Sequence, residues 1–270
     1  MTYARSCLLG AALLLAGCGV GQTGHQAPVE VTITRDLGAV TVREVQVKSG
    51  VTVGALLRGQ PGGQRWVNGV AAGNRVTVHG GDRVWADTAA ASARTPAVVG
   101  SFPEPFRHGI DGKRLPVRVE CAEARGPACQ QVGDRLAGYQ IPAARGGLQT
   151  ARAPETLRVL VGPWTALRLD PAANALEHGP RASGVYARMA PDGRTIAVLT
   201  ADGRVARTLG AGSGLVAATK RPDERPLWVV TGTDAAGVAS AARAFGQAAL
   251  AHRLAIAVNG DLPVAVPTPG

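Results

Sequence analysis

The stretch "LWVVTGTDAAGVASAARAFGQAALAHRLAIAV" (227–258) constrains the fold of this chain more than any other. An apolar run ends at a glycine-bearing turn, a small-residue segment follows, and a second apolar run closes it. In the middle segment Val238, Ala241, Ala242 and Phe245 fall at helical spacing, and Asp234 stands where an N-cap residue belongs. The reading is strand, helix, strand. Parallel strands cannot be joined by a tight turn and need such a crossover, so this βαβ unit predicts a partly parallel sheet with helices packed on it.

Upstream of it, "LRVLVGPW" reads as a strand ending in a Gly-Pro break. "SGVYARM-APDG-RTIAVLT-ADG-RVARTLG" reads as three strands joined by Asp-Gly turns. The first third has a different pattern. "VEVTITRD" and "AVTVREVQVK" alternate apolar and polar residues, as half-buried strands do, and Leu37-Gly38 can turn a hairpin between them. In "SGVTVGALLRG", Thr52 can cap a short helix whose apolar side is Val53, Leu56 and Leu57, and Gly59 can close it. "RWVNGV", "RVTVH" and "DRVWAD" supply further short strands. Hairpin, helix, then more strands is the order of a β-grasp module. The small, Pro-ended segment 89–96 reads as a linker. The expected class is therefore α+β: a β-grasp module over 29–88, followed by a mixed α/β domain over 97–270 with a C-terminal βαβ unit.

The N-terminus speaks to location. One basic residue, Arg5, precedes an apolar run from Cys7 to Ala16, too short to span a bilayer as a helix. Leu15-Ala16-Gly17-Cys18 resembles the lipobox of bacterial lipoproteins. The resemblance implies a signal peptide over 1–17, cleavage before Cys18 and lipid on its sulfur. Two acyl chains anchor a protein stably where one is marginal. The tether 18–28 is Gly-rich and uncharged, and ten such residues span roughly 17–19 Å. The chain is thus expected on the extracytoplasmic face of the cell membrane, held by lipid through Cys18. Cys121 and Cys129, close together in an exported chain, read as a disulfide. Zinc would need two further ligands that the neighbourhood does not supply.

Net charge is +10, but only three of the 29 basic residues are lysine and the charges are spread over both halves. No basic block marks a nucleic-acid surface. A diffuse positive surface suits anionic headgroups or wall polymers instead.

The run 29–87 resembles the C-terminal domain of transcobalamin and its bacterial relatives, through "SGVTVGALLRG", "WVNGV" and "GGDRVWAD". In transcobalamin this module covers one face of a corrin and a helical barrel holds the other. This sequence contains no such barrel, so a partner chain would have to complete a corrinoid site. Strand alternation places Trp66 with Asn68, and Arg83 with Trp85, opposite the aliphatic residues. If the aliphatics face the helix, two indoles face outward as a stacking surface, with Asn68 and Arg83 as hydrogen-bonding groups. Packing of these rings against the second domain is the alternative.

Other constellations fall short of a reaction. "GAGSGL" (210–215) fits neither a phosphate loop nor a nucleophile elbow. "VVTGTDAAG" (229–237) is a capped βα turn in which Asp234 would repel an anion. The five histidines show no metal-ligand spacing. Glu104, His108 and Asp111 share a Pro/Gly-rich loop in which a hydrolytic site would have to lie. "RVLVGPW" is similar to the opening of small repeat domains that bind peptidoglycan strands, with Trp164 as its aromatic. No catalytic residue and no metal site is expected. The expected role is a binding or accessory lipoprotein that captures a corrinoid-like ligand for a transporter subunit. The alternative is a structural lipoprotein that touches the cell-wall polymer, and a hydrolase ranks last.

Overall fold

The alternating valines and threonines of Val29–Arg35 (β1) and Gly38–Val45 (β2) form an antiparallel pair. The computed structural model describes residues 27–35, 38–60, 62–88, 93–149 and 155–268. The expected signal peptide, Cys18, most of the tether, Leu37 and residues 89–92 of the expected linker lie outside them.

Thr52 caps the short helix Val53–Leu56 (α1), accepting from the Ala55 amide at 3.3 Å. Arg65–Val67 (β3) and Val70–Ala71 (β4) are joined by Asn68 and Gly69, both at positive φ (46° and 76°). That is the signature of a two-residue I′ hairpin, which asparagine and glycine tolerate. Arg83–Asp87 (β5) then inserts parallel to β1, giving the order β2-β1-β5-β3-β4. A hairpin, a helix and a central parallel pair make this a β-grasp module. Val29, Val31, Val84 and Ala86 meet Val53 and Leu57 in its core. Each aliphatic side chain fully buried there contributes about 1.5–3 kcal/mol.

After the short helix Glu104–Arg107 (α2), the second module begins with Val117–Cys121 (β6), Pro127–Gly138 (α3), Ala143–Gly147 (β7) and Leu157–Pro163 (β8). The short helices Trp164–Leu167 (α4), Pro171–Asn174 (α5) and Pro180–Ser183 (α6) lead to Ala187–Met189 (β9), Ile196–Leu199 (β10) and Val205–Leu209 (β11). These three strands form a small antiparallel sheet, turned at Asp192-Gly193 and Asp202-Gly203 as expected. Ser213–Thr219 (β12), Leu227–Gly232 (β13), Ala235–Ala244 (α7), Gln247–Leu250 (α8), Ala255–Asn259 (β14) and Leu262–Val266 (β15) complete the chain.

Among the described residues the large sheet has seven strands in the order β15-β14-β12-β13-β8-β6-β7. The strands β13, β8, β6 and β7 run parallel, whereas β12 is antiparallel to both β13 and β14. The βαβ unit is therefore present but split, with β12 filling the gap between its two parallel strands. Period-two alternation sends Val216, Val230 and Val159 to one face, against α3 and α7. Leu215, Val229 and Leu160 go to the other face, against the small sheet and α4. Helix α7 lies unusually close to the strands because glycine lines the contact. A Cβ at Gly214 would sit 2.4 Å from the Gly237 carbonyl oxygen, and one at Gly232 would sit 2.3 Å from the Val238 nitrogen. The disulfide Cys121–Cys129 ties the end of β6 to the first turn of α3. No helix among the described residues is long and apolar enough to cross a membrane.

Candidate functional site

Of the four residues expected to contact a ligand, Trp66, Arg83 and Trp85 sit on the sheet face away from α1, as strand alternation requires, whereas Asn68 lies in the turn between β3 and β4 rather than on a strand. Val67, Val84 and Ala86 pack toward α1, while Trp66 and Trp85 belong to the opposite cluster. That face is not open to solvent, which corrects the expected stacking surface. Trp66 is 0% and Trp85 2% exposed, with ring centroids 5.2 Å apart at 41°. The second module covers them: the same cluster contains Tyr186, Leu254 and Ala255. Both indole N–H groups are used internally. Trp66 donates to the Thr95 carbonyl at 2.8 Å and Trp85 to Thr34 Oγ1 at 2.9 Å. A buried indole needs such a partner, and once it has one, neither its face nor its N–H is left for a ligand.

Asn68 and Arg83 are likewise committed to the seam. Asn68 Nδ2 donates to Asp82 Oδ1 at 2.7 Å and to the Gly109 carbonyl at 3.0 Å, and its Oδ1 accepts from the Arg83 amide at 2.9 Å. Arg83 Nη1 donates to the Phe102 carbonyl at 2.9 Å, and its Nε lies 3.6 Å from Glu30 and 3.8 Å from Glu104. Across the same seam Thr32 Oγ1 meets His252 Nδ1 at 2.9 Å. Burial lowers the His252 pKa from its ordinary value.

The loop suspected of catalysis brings together only part of its set. His108 Nδ1 donates to the Gly81 carbonyl at 2.8 Å, and Glu104 Oε2 lies 3.0 Å from the same nitrogen. Burial raises the Glu104 pKa against the pull of His108, Arg83 and Arg107. Asp111 turns away to Arg225, 3.8 Å distant. Neither Glu104 nor His108 lines the clefts beside the disulfide, along α3 or over Arg158. The pair serves as a joint between the modules.

Three concavities stand out among the described residues. One of about 160 Å3 lies between the carboxyl ends of β6 and β8, against the disulfide and the first turns of α3 and α7. An open trough of about 680 Å3 runs along a single face of α3. The third, about 380 Å3, combines walls from several elements with a charged floor. Small-molecule sites run from about 300 to 1,000 Å3, are mostly apolar, and carry a few convergent polar groups. The first cleft is too small by that measure and the second is shaped by one helix. The third fits.

That cleft lies over the part of the large sheet that α4 and α5 leave uncovered. Leu160, Leu167 and Pro171 form apolar walls, and Leu148 and Leu169 stand at its edge, 39% and 79% exposed. Alternation on β6 and β8 puts Glu120 and Arg158 in its floor, with Arg118 on the same sheet face beside them. Arg118 and Arg158 stand directly opposite one another in the parallel register. Like charges so placed repel, and acids hold them together. Glu120 grips Arg158 with both oxygens, at 3.0 Å from Nε and 2.9 Å from Nη2, and Asp170 Oδ2 lies 2.9 Å from Nη2. Hydrogen bonds from Glu120 first, and the charge of Asp170 after, raise the Arg158 pKa above its ordinary value. Asp170 Oδ1 meanwhile caps α5 by accepting from the Ala172 and Ala173 amides.

Sequence reasoning passed over this cluster, although it carried a signal. Parallel strands covered on both faces read as unbroken apolar runs. "VRVEC" and "LRVLV" instead set charges between their valines, which marks a face left partly uncovered.

The other motifs are structural. Ser213 of "GAGSGL" is buried at the start of β12, and Asp234 caps α7 by accepting from Gly237 N, with Gly212 N on its second oxygen. Those backbone amides lower the Asp234 pKa. Trp164 is fully buried and donates to Glu177 at 3.0 Å. Among the described residues no group of three or more His, Cys, Asp or Glu is placed to hold a metal ion. Comparison with known proteins returns no match: no family model fits the sequence, and neither a curated protein nor a solved structure matches it.

Proposed function

We propose that the chain is an extracytoplasmic lipoprotein, anchored through Cys18, that binds a ligand or partner in the leucine-edged cleft over Arg158. The observation that carries this reading is the pairing of two exposed leucines with a charged floor whose groups neutralise one another. Two features separate anchor from cleft. The tether joins the β-grasp module at Ala27, whose carbonyl accepts from Gly81 N at 3.0 Å. The cleft is built wholly from residues 120–171 of the second module. Capture therefore occurs on the module that the lipid does not hold.

The transcobalamin-like resemblance of the β-grasp module enters this proposal only through its fold. A corrinoid stacked on Trp66 and Trp85 would have to displace the second module, so the corrinoid surface is no longer the favoured one. A transporter subunit or another envelope protein remains the natural recipient of what an anchored binding protein holds.

The anchor is tested by intact mass spectrometry of the protein extracted from membranes. The expected species begins at Cys18 and carries a diacylglyceryl mass. A mature N-terminus elsewhere, or an unmodified Cys18, would overturn the anchoring. The cleft is tested separately by screening the chain from residue 19 for ligands that shift the NMR signals of Leu148 and Leu169. Ligands that bind only at other surfaces would overturn its role.

A further inference from the structure

We infer that the cleft over Arg158 accepts an uncharged, extended peptide segment bearing branched aliphatic side chains, an inference that rests on the cleft being the binding site. Charge balance is the first argument. Arg158, Glu120 and Asp170 line the cleft, and Arg118 stands beside the lining with its Nε 3.8 Å from Glu120 Oε1, so among the described residues two cations meet two anions. A charged ligand would enter this partly desolvated site without a counter-charge to meet it, a costly transfer. A neutral ligand incurs no such cost.

The unused hydrogen-bonding capacity of the floor is the second argument. Arg158 Nε and Nη2 are engaged by Glu120 and Asp170, whereas Nη1 makes no hydrogen bond among the described residues. Asp170 Oδ2 faces that same guanidinium and can accept a second hydrogen bond, since a carboxylate oxygen has two lone pairs. A donor beside an acceptor matches the N–H and C=O of one extended residue, which point to the same side of the chain. Carboxylates and amines would each satisfy only one of the two.

The walls supply the third argument. Leu169 is 79% exposed and Leu148 39%, at the edge of a concavity walled by buried Leu160 and Leu167. Apolar side chains held in water around a polar floor are recovered when an aliphatic ligand covers them, at about 25 cal/mol for each Å2 removed from water. A peptide with leucine-type side chains satisfies the rim and the floor together.

The test uses the chain from residue 19, which retains every described residue, and N-acetyl-Leu-Leu-N-methylamide as ligand. Isothermal titration and NMR should report weak saturable binding, with shifts confined to Leu148, Leu169 and the Arg158 Nε–H. Leu169→Asp should weaken binding about ten-fold or more. Leu262→Asp, at a position equally open to solvent (74% exposed) but outside the cleft, should leave it unchanged. Replacing one leucine of the ligand by lysine or glutamate should weaken it about ten-fold as well. Absence of binding, equal affinity for the charged peptides, or insensitivity to Leu169→Asp would each overturn the inference. A non-peptide aliphatic compound that binds with the same Leu169 dependence, where the peptide does not, would leave the cleft as a binding site and remove the peptide.

Discussion

Replacing Trp66 by alanine separates a sealed seam from an open ligand surface more sharply than any other single change. The ring is wholly buried in a cluster shared by both modules. Truncating a buried tryptophan to alanine costs about 3–5 kcal/mol through lost transfer energy and the cavity left behind. The change also strands the Thr95 carbonyl, now bonded at 2.8 Å, at about 1–3 kcal/mol for an unsatisfied buried group. Loss of the tilted contact with Trp85 adds about 0.5–1.5 kcal/mol. These contributions overlap, and the net expectation is a loss of about 5 kcal/mol. With a urea slope of about 3 kcal/mol per molar, the unfolding midpoint should fall by roughly 1.5–2 M. Circular dichroism of the chain from residue 19 reads this directly. Trp66→Phe keeps most of the apolar volume but not the donor, and should cost about 1–3 kcal/mol. An indole standing in water would give a change within about 0.5 kcal/mol. A Trp66→Ala loss that small would refute the seam.

The remaining predictions concern other joints of the fold. Removing the disulfide with Cys121→Ala and Cys129→Ala should cost about 2–3 kcal/mol, the loop-entropy value for so short a ring, measured by urea unfolding. Gly232→Ala should destabilise by about 3 kcal/mol or more, because its Cβ meets the backbone of α7, and thermal unfolding will show it. Asp234→Ala should cost about 1–2 kcal/mol at neutral pH through loss of the cap. The folded pKa of Asp234 is depressed, so its contribution is present above the ordinary aspartate value and is lost as pH falls through the folded one. For His252 the sign is opposite in origin. Its folded pKa is also depressed, so the folded state disfavours the proton, and stability should decline as pH drops below about 6.5 through the folded value. His252→Asn, acceptable at its φ of 58°, should flatten that decline in a series of melting curves.

Much of this architecture was legible in the sequence because it is encoded locally. The two Asp-Gly turns of the small sheet, the Thr52 and Asp234 caps and the close cysteine pair each depend on a few neighbouring residues, whereas "RWVNGV", expected as one strand, is broken by the Asn68-Gly69 hairpin and "RVTVH" forms only an isolated bridge at Thr77. Period-two alternation also gave the correct sides for Trp66 and Trp85. It could not say what covers those sides, because the covering residues, Tyr186 and Leu254, lie more than a hundred positions away. For the same reason β12 could not be placed between β13 and β14. All three strands are buried on both faces, and such runs carry no mark of which neighbour they pair with. The cleft was hidden differently. Arg118 and Arg158 resemble ordinary solvated strand residues until the register sets them side by side and Asp170 arrives from the next loop.

Hydrogen exchange of the tryptophan indoles tests the central claim most directly. With 15N-labelled tryptophan in the chain from residue 19, the Trp66 and Trp85 indole N–H signals should persist long after transfer to deuterated buffer. Their exchange should require opening of the seam between the two modules. Exchange of either proton at the rate of a free indole, under conditions where the backbone amides of β13 stay protected, would contradict the account.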